Sequence, residues 1–368
     1  MAAVFDSLYA RLAPEISIDL GTANTPVFVR GHGLRFIEPT VVAVDTNSGE
    51  VLTVGEGASQ MVGRVPRNIT VIKPLRNGVI SNYKYTEALV RQLLDRAMRG
   101  RSLFPPRVIV GVPGSATDVE RKAVREAALG AGAGKVYFVQ QAIAAAVGAG
   151  LPIMEPRGSM IVDIGGGTTE IAVLSLGGLV VARSLKMGGN RLDDTIVAHM
   201  RTSRGVSIGD RTAEQLKIAL GYYGRPRGKP PEKIVGQDLR ALRPGTFEVR
   251  EEEIGSAVAE PLGEIVDAVR SVIEVTPPEL VRDISEDGFV LAGGGAAIAG
   301  LAETLGLVLS MRVRIADEPM LCVARGAAQI LSDARLFDAL YPTRQSRIGR
   351  WLKSIRFGMS ESSSYSSR

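Results

Sequence analysis

The chain has 368 residues, 45% of them hydrophobic and 23% charged, with one cysteine, Cys322, and two histidines, His32 and His199. That length exceeds what one core usually fills and suits two domains, while a single thiol excludes an internal disulfide. No window is apolar for long enough to cross a membrane, the histidines have no zinc-ligand spacing, and the start carries no signal-peptide pattern, so a cytosolic location is expected. The net charge of +5 is local: from Arg335 onward seven basic residues face only Asp338 and Glu361. Residues 1–334 therefore balance, the basic character belongs to a tail, and no nucleic-acid partner is expected.

In chain order, Val4, Phe5, Leu8 and Leu12 make a short apolar face ahead of Pro14. A strand–turn–strand follows over Ile16 to Val29, then short strands over Ile37 to Val54. A helix is predicted over Tyr85 to Met98, and a buried strand over Val108 to Val112. Thr117 with Glu120 is a capping-box pattern that opens a helix running to Leu129. A strand at Tyr137 to Val139 and an Ala-rich helix over Gln141 to Ala149 close the first half. The second half repeats the alternation, with a hairpin over Met160 to Val173, helices around Asp193 to Ser203, Thr212 to Leu220 and Glu251 to Val275, and a strand at Phe289 to Ala292. This alternation predicts an α/β fold with helix-covered sheets. Gly224 to Pro231 is a breaker cluster and reads as a surface loop.

The two hairpins, 144 positions apart, lie over each other in register: Asp19 meets Asp163, Gly21 meets Gly165, and Thr25 meets Thr169. Backbone N–H groups reach phosphate oxygens only where no Cβ intervenes, which is the physical use of these glycines. Thr22, Thr25, Thr168 and Thr169 add hydroxyls, and Asp19 and Asp163 are placed to hold a hydrated divalent cation through oxygen ligands. One such hairpin alone reads as a structural turn. Two in register predict a duplicated fold with a nucleotide's phosphates clamped between its halves. A third cluster, Gly293, Gly294 and Gly295, follows a strand and precedes an apolar helical stretch, where a nucleoside or phosphate can approach.

The stretches IDLGTANT (Ile18 to Thr25), GRVPRNITVIKPLRNGVI (Gly63 to Ile80), VGVPGSATDVERKAVREAALGAGA (Val110 to Ala133), AAAVGAGLPI (Ala144 to Ile153), MIVDIGGGTTEIAVLSLGG (Met160 to Gly178), GDRTAEQLKIALG (Gly209 to Gly221) and LAGGGAAIAGL (Leu291 to Leu301) resemble bacterial actins of the MreB type. That family sits in the superfamily of actin, DnaK-type chaperones and sugar kinases. The resemblance extends to about Leu336. It implies an actin-like ATPase fold with ATP and Mg2+ in a cleft between two related domains. The boundaries read as a segment at 1–14, domain I over 15–150 with a small subdomain at 36–62, domain II over 151–328 with a small subdomain near 190–250, and a return to domain I over 329–343. A basic amphipathic helix at 344–358 and a disordered tail at 359–368 follow.

Residue by residue, the resemblance makes Asp19, Gly21, Thr22, Ala23, Asn24 and Thr25 the first phosphate loop. Asp163, Gly165, Gly166, Gly167, Thr168 and Thr169 become the second, and Gly293 to Gly295 the adenosine wall. Gly189 and Asn190 match the loop near the ribose, with Asn190 where the family usually has an acidic residue. Glu214 and Lys217 share a helix face; the resemblance places them on the nucleoside, whereas the residues alone read as a solvated charge pair. The family's Glu-Glu-Pro is replaced by Gln140-Gln141-Ala142, and an amide orients water without being a useful base. Slow hydrolysis is therefore expected, with Gln141 and Thr168 holding the water and Asp163 at the cation.

Ile348, Trp351, Leu352 and Ile355 fall on one helical face, with Arg347, Arg350, Lys353 and Arg356 around it, the composition of a segment lying in a membrane interface. Leu103-Phe104 matches a lipid-inserting loop of some family members, and Phe5 and Leu8 lie where many carry an amphipathic anchor. The expected partners are further copies of the chain in protofilament pairs, an anionic membrane surface on the inner face of the cell membrane, and membrane proteins of the cell-wall elongation machinery. A membrane adaptor of the FtsA or PilM type and a small-molecule kinase are the alternatives.

Overall fold

The computed structural model describes residues 12–76, 78–98 and 104–341. The expected membrane residues Phe5, Leu8, Leu103, Arg347, Ile348, Arg350, Trp351, Leu352, Lys353, Ile355 and Arg356 lie outside them. Phe104 is described and half-buried, and Leu12 is exposed.

Two five-stranded sheets share one topology. In the first the order is Lys135–Gln140, Arg107–Val112, Glu15–Asp19, Asn24–Val29, Gly33–Pro39; in the second it is Val313–Ile315, Phe289–Ala292, Ser159–Ile164, Thr169–Ser175, Gly178–Leu185. In each, the duplicated hairpin supplies the central pair and extends into an antiparallel third strand, while two further strands join in parallel on the other side. The sequence duplication is thus a duplication of the whole sheet.

Strand period decides what each face buries. Ile16, Ile18, Val108 and Val110 face a core with Leu89 and Leu93 of the helix Tyr83–Ala97, and Met160 and Val162 face a second core with Ile196, Ile265 and Val269. The alternate residues Ile109, Ile161 and Val290 point into a third core between the sheets, shared with the helices Gln141–Gly148 and Cys322–Ser332. These helices cross so closely that a Cβ on Gly148 would overlap the carbonyl of Cys322, and one on Gly326 the carbonyl of Ala144. Only glycine permits that approach.

A three-stranded sheet of Val42–Asp45, Val51–Val54 and Ile69–Ile72 caps the first lobe, and another of Val206–Ser207, Glu232–Asp238 and Arg243–Val249 caps the second. The first cap runs past the 36–62 window, because Gly33–Pro39 pairs into the large sheet and Ile69–Ile72 pairs with Val42–Asp45. The expected capping box at Thr117 and Glu120 forms in both directions and opens the helix Asp118–Gly130. Gly224–Pro231 is irregular, and Arg227 bolts it down through Glu251, which is 1% exposed. Among the described residues no helix is long and apolar enough to cross a membrane.

Candidate functional site

Asp19 is the last residue and Asp163 the penultimate residue of the central strand of their respective sheets, beside Gly111 and Ala292 of the adjacent parallel strands. This is the carboxyl end of parallel strands, where α/β sheets bind ligands. The two turns that follow face each other across a cleft of about 360 Å3. Its lining includes Asp19, Gly21, Thr22, Ala23 and Asn24 from one hairpin and Asp163, Gly165, Gly166, Gly167 and Thr168 from the other. The hairpins nearly touch: a Cβ on Gly166 would lie 2.8 Å from the Cβ of Ala23. The cleft also brings in Gln141, Gly189, Asn190, Glu214, Lys217 and Gly293 to Gly295.

Thr25 and Thr169 stand apart from this lining. Both are fully buried; the Thr25 hydroxyl lies 2.9 Å from that of Thr40, and the Thr169 hydroxyl donates to Met187 O at 2.9 Å. Each is the first inward residue of its return strand and ties the turn to the next element. Thr22 remains in the cleft, where its Oγ1 accepts from Gly78 N at 3.0 Å and keeps its own proton available.

Burial pushes the Asp19 carboxyl up to about 6, against the opposing hydrogen bond from Gln141, whose Nε2 donates to Asp19 Oδ1 at 3.0 Å. Asp163 is raised well above its ordinary value, first by burial and then by the charges of Asp19 and Glu170. Two desolvated, mutually repelling carboxylates are a donor set that a hard cation relieves. Among the described residues no cluster of three or more His, Cys, Asp or Glu side chains is arranged to hold a metal ion. The fit is therefore to an ion held by two carboxylates and water.

Lys217 reaches the cleft wall, donating to Gly189 O at 3.1 Å and pairing with Asp193 at 2.9 Å. Burial raises the Asp193 carboxyl to about 6 despite the opposing ammonium. Sequence reading paired Lys217 with Glu214 and missed Asp193, which belongs to the neighbouring helix Gly189–Arg204. It also missed the apolar wall of Ile298, Met320 and Leu321. The glycine cluster leads into a 3-10 turn, Gly294–Ala297, and the helix starts only at Leu301. That turn and Pro319–Leu321 together form the wall. The only signal in the sequence was apolar residues placed in loops.

A family model described as MreB/Mbl protein matches residues 13–339. The chain is 44% identical over 323 residues to the cell shape-determining protein MreB of Escherichia coli, covering 86% of this chain and 93% of that protein. It is 42% identical over 322 residues to the cell shape-determining protein Mbl of Bacillus subtilis, covering 87% and 96%. Among solved structures, MreB 5 of Spiroplasma citri bound to AMPPNP superposes with a TM-score of 0.82 at 33% identity, covering 86% of this chain and 96% of that one.

Proposed function

Because the chain belongs to the MreB/Mbl family, a bacterial actin family with a role in cell shape, we propose that it binds ATP in the cleft and polymerises into membrane-attached filaments that organise cell-wall synthesis. The observation that carries this reading is the facing pair of hairpins, with Gly166 against Ala23. Between them the phosphates find backbone N–H groups and the hydroxyls of Thr22 and Thr168. The adenosine lies against Gly293 to Gly295, Ile298 and Met320, with Glu214 and Lys217 at its side. The triphosphate analogue in the Spiroplasma relative supports the choice of nucleotide.

Asp19 and Asp163 would hold Mg2+ through water, which supplies charge neutralisation for the phosphates when bound. Hydrolysis is slow in this reading. The Gln141 amide donates to Asp19, which leaves its carbonyl and the Thr168 hydroxyl to orient the attacking water without a carboxylate to take its proton.

Two of the expected membrane segments adjoin the start of the strands Glu15–Asp19 and Arg107–Val112. Arg107 N donates to Pro14 O at 2.8 Å, Phe104 lies three residues before Arg107, and the Tyr341 hydroxyl donates to Phe138 O. Phe337 packs on Tyr137 with ring centroids 5.1 Å apart. The described chain thus begins at Leu12 and resumes at Phe104 close to the same end of the first sheet, while Tyr341 lies against its edge strand. This supports a shared lipid-facing side for the segments containing Phe5, Leu8 and Leu103, and the basic segment around Trp351 adds the charge for an anionic surface. Electron microscopy of the full chain with ATP, with and without anionic liposomes, tests the proposal: long paired protofilaments that coat the liposomes are expected, and single subunits under all conditions would reject it.

A further inference from the structure

Glu170 is a carboxylate that the nucleotide site leaves unused. It is 3% exposed, sits on the return strand of the second hairpin, and pairs directly with Asp163 on one side and Ser184 on the other. Residues opposite one another in antiparallel strands share a face, so Asp163, Glu170 and Ser184 form a row aimed at the first lobe. What meets the row is the turn Pro113–Gly114–Ser115 at the end of the strand Arg107–Val112. Gly114 N donates to Glu170 Oε2 at 3.1 Å, Ser184 Oγ donates to Glu170 Oε1 at 2.6 Å, and the Ser184 and Ser115 hydroxyls lie 3.2 Å apart. Ser184 has one proton to donate, and the carboxylate at 2.6 Å is the closer acceptor, so the Ser184–Ser115 approach is a short contact between the lobes. Both oxygens are therefore engaged in a charge-assisted network that runs from lobe to lobe.

The same turn closes the phosphate end of the cleft. Pro113 packs over Gly78, whose amide caps Thr22, and a Cβ on Gly78 would lie 3.2 Å from Thr168 Cγ2. Thr22, Thr168 and the Pro113 turn therefore converge where the terminal phosphate belongs.

We propose that Glu170 is a positioning residue that latches the two lobes over the phosphate end of the cleft, so that nucleotide leaves only after the Glu170–Gly114 and Ser184–Ser115 contacts part. This rests on the nucleotide reading above and assigns it a gate. The hydroxyl spacing makes Ser115→Cys with Ser184→Cys a reversible lock, and Cys322, fully buried, does not compete.

The test is release of radiolabelled ATP, chased with unlabelled ATP, from the full chain at concentrations below assembly. The oxidised double-cysteine variant should release nucleotide at least about tenfold more slowly than the same protein after reduction. Glu170→Ala should release it roughly tenfold faster than wild type, as expected for losing hydrogen bonds to a charged group. Glu170→Gln, which keeps an acceptor, should fall between them. Equal release from the oxidised and reduced forms, with the cross-link verified by mass spectrometry, overturns the latch while leaving nucleotide binding intact. Failure of the cross-link to form in the ATP-bound protein overturns it as well. A wild type that retains no ATP overturns both readings.

Discussion

At Gln141 an amide donates to Asp19 Oδ1 where the resemblance to MreB-type actins leads one to expect a carboxylate, and this one difference sets the proposed chemistry. Gln141→Glu should raise phosphate release from assembled protein by about 10²-fold, the lower end of general-base contributions, with nucleotide affinity little changed. A phosphate-release assay on pelleted polymer checks this. Cys322 shows the opposite use of burial, which pushes its thiol up to about 11 against the opposing charge of Arg325. A raised thiol pKa means less thiolate, so native protein should react negligibly with Ellman's reagent at pH 8, and fully once unfolded in guanidinium. Single residues were the least legible scale in the sequence. Thr22 and Thr25 look equivalent on paper, yet Thr22 stays in the turn and lines the cleft, whereas Thr25 enters the return strand and is buried against Thr40. Asp193 was invisible because its partner, Lys217, lies on a different helix.

Elements were read more securely, because apolar periodicity and caps are local. The strand Phe289–Ala292 and the capping box at Thr117 fall where expected, and the helix ends move by only a few residues. What periodicity does not carry is the crossing of Gln141–Gly148 with Cys322–Ser332, which joins segments far apart in the chain. Replacing glycine by alanine inside a helix ordinarily stabilises it by about 1 kcal/mol. At Gly326 the overlap with Ala144 O reverses the sign, and Gly326→Ala should cost roughly 1–3 kcal/mol as the helices are forced apart. Urea unfolding gives the value; a stabilised variant would show that the crossing is loose.

Over the whole molecule, one supersecondary unit is used twice, and the cleft is what remains between the copies. The in-register hairpins announced this in the sequence, since Asp19 and Asp163 carry the same turn chemistry at the ends of equivalent strands. The apolar wall of Ile298, Met320 and Leu321 was not announced, because it assembles from two loops. At this scale belongs the basic tail. Each cation near an anionic leaflet contributes about 1 kcal/mol, so under the proposed membrane attachment one subunit would bind weakly and a filament through many copies. Deleting residues 344–368 should abolish co-sedimentation with anionic liposomes while leaving polymerisation with ATP unchanged; undiminished binding would move the anchor to Phe5, Leu8 or Phe104. The claim on which all of this depends is that phosphates sit between the two hairpins and drive assembly. The most direct measurement is calorimetric titration with ATP and Mg2+, followed by sedimentation, of wild type and Gly166→Val, a side chain placed against Ala23. Wild type should bind ATP and pellet, whereas the variant, with native circular dichroism, should do neither. A variant that binds ATP and pellets like wild type would contradict the account.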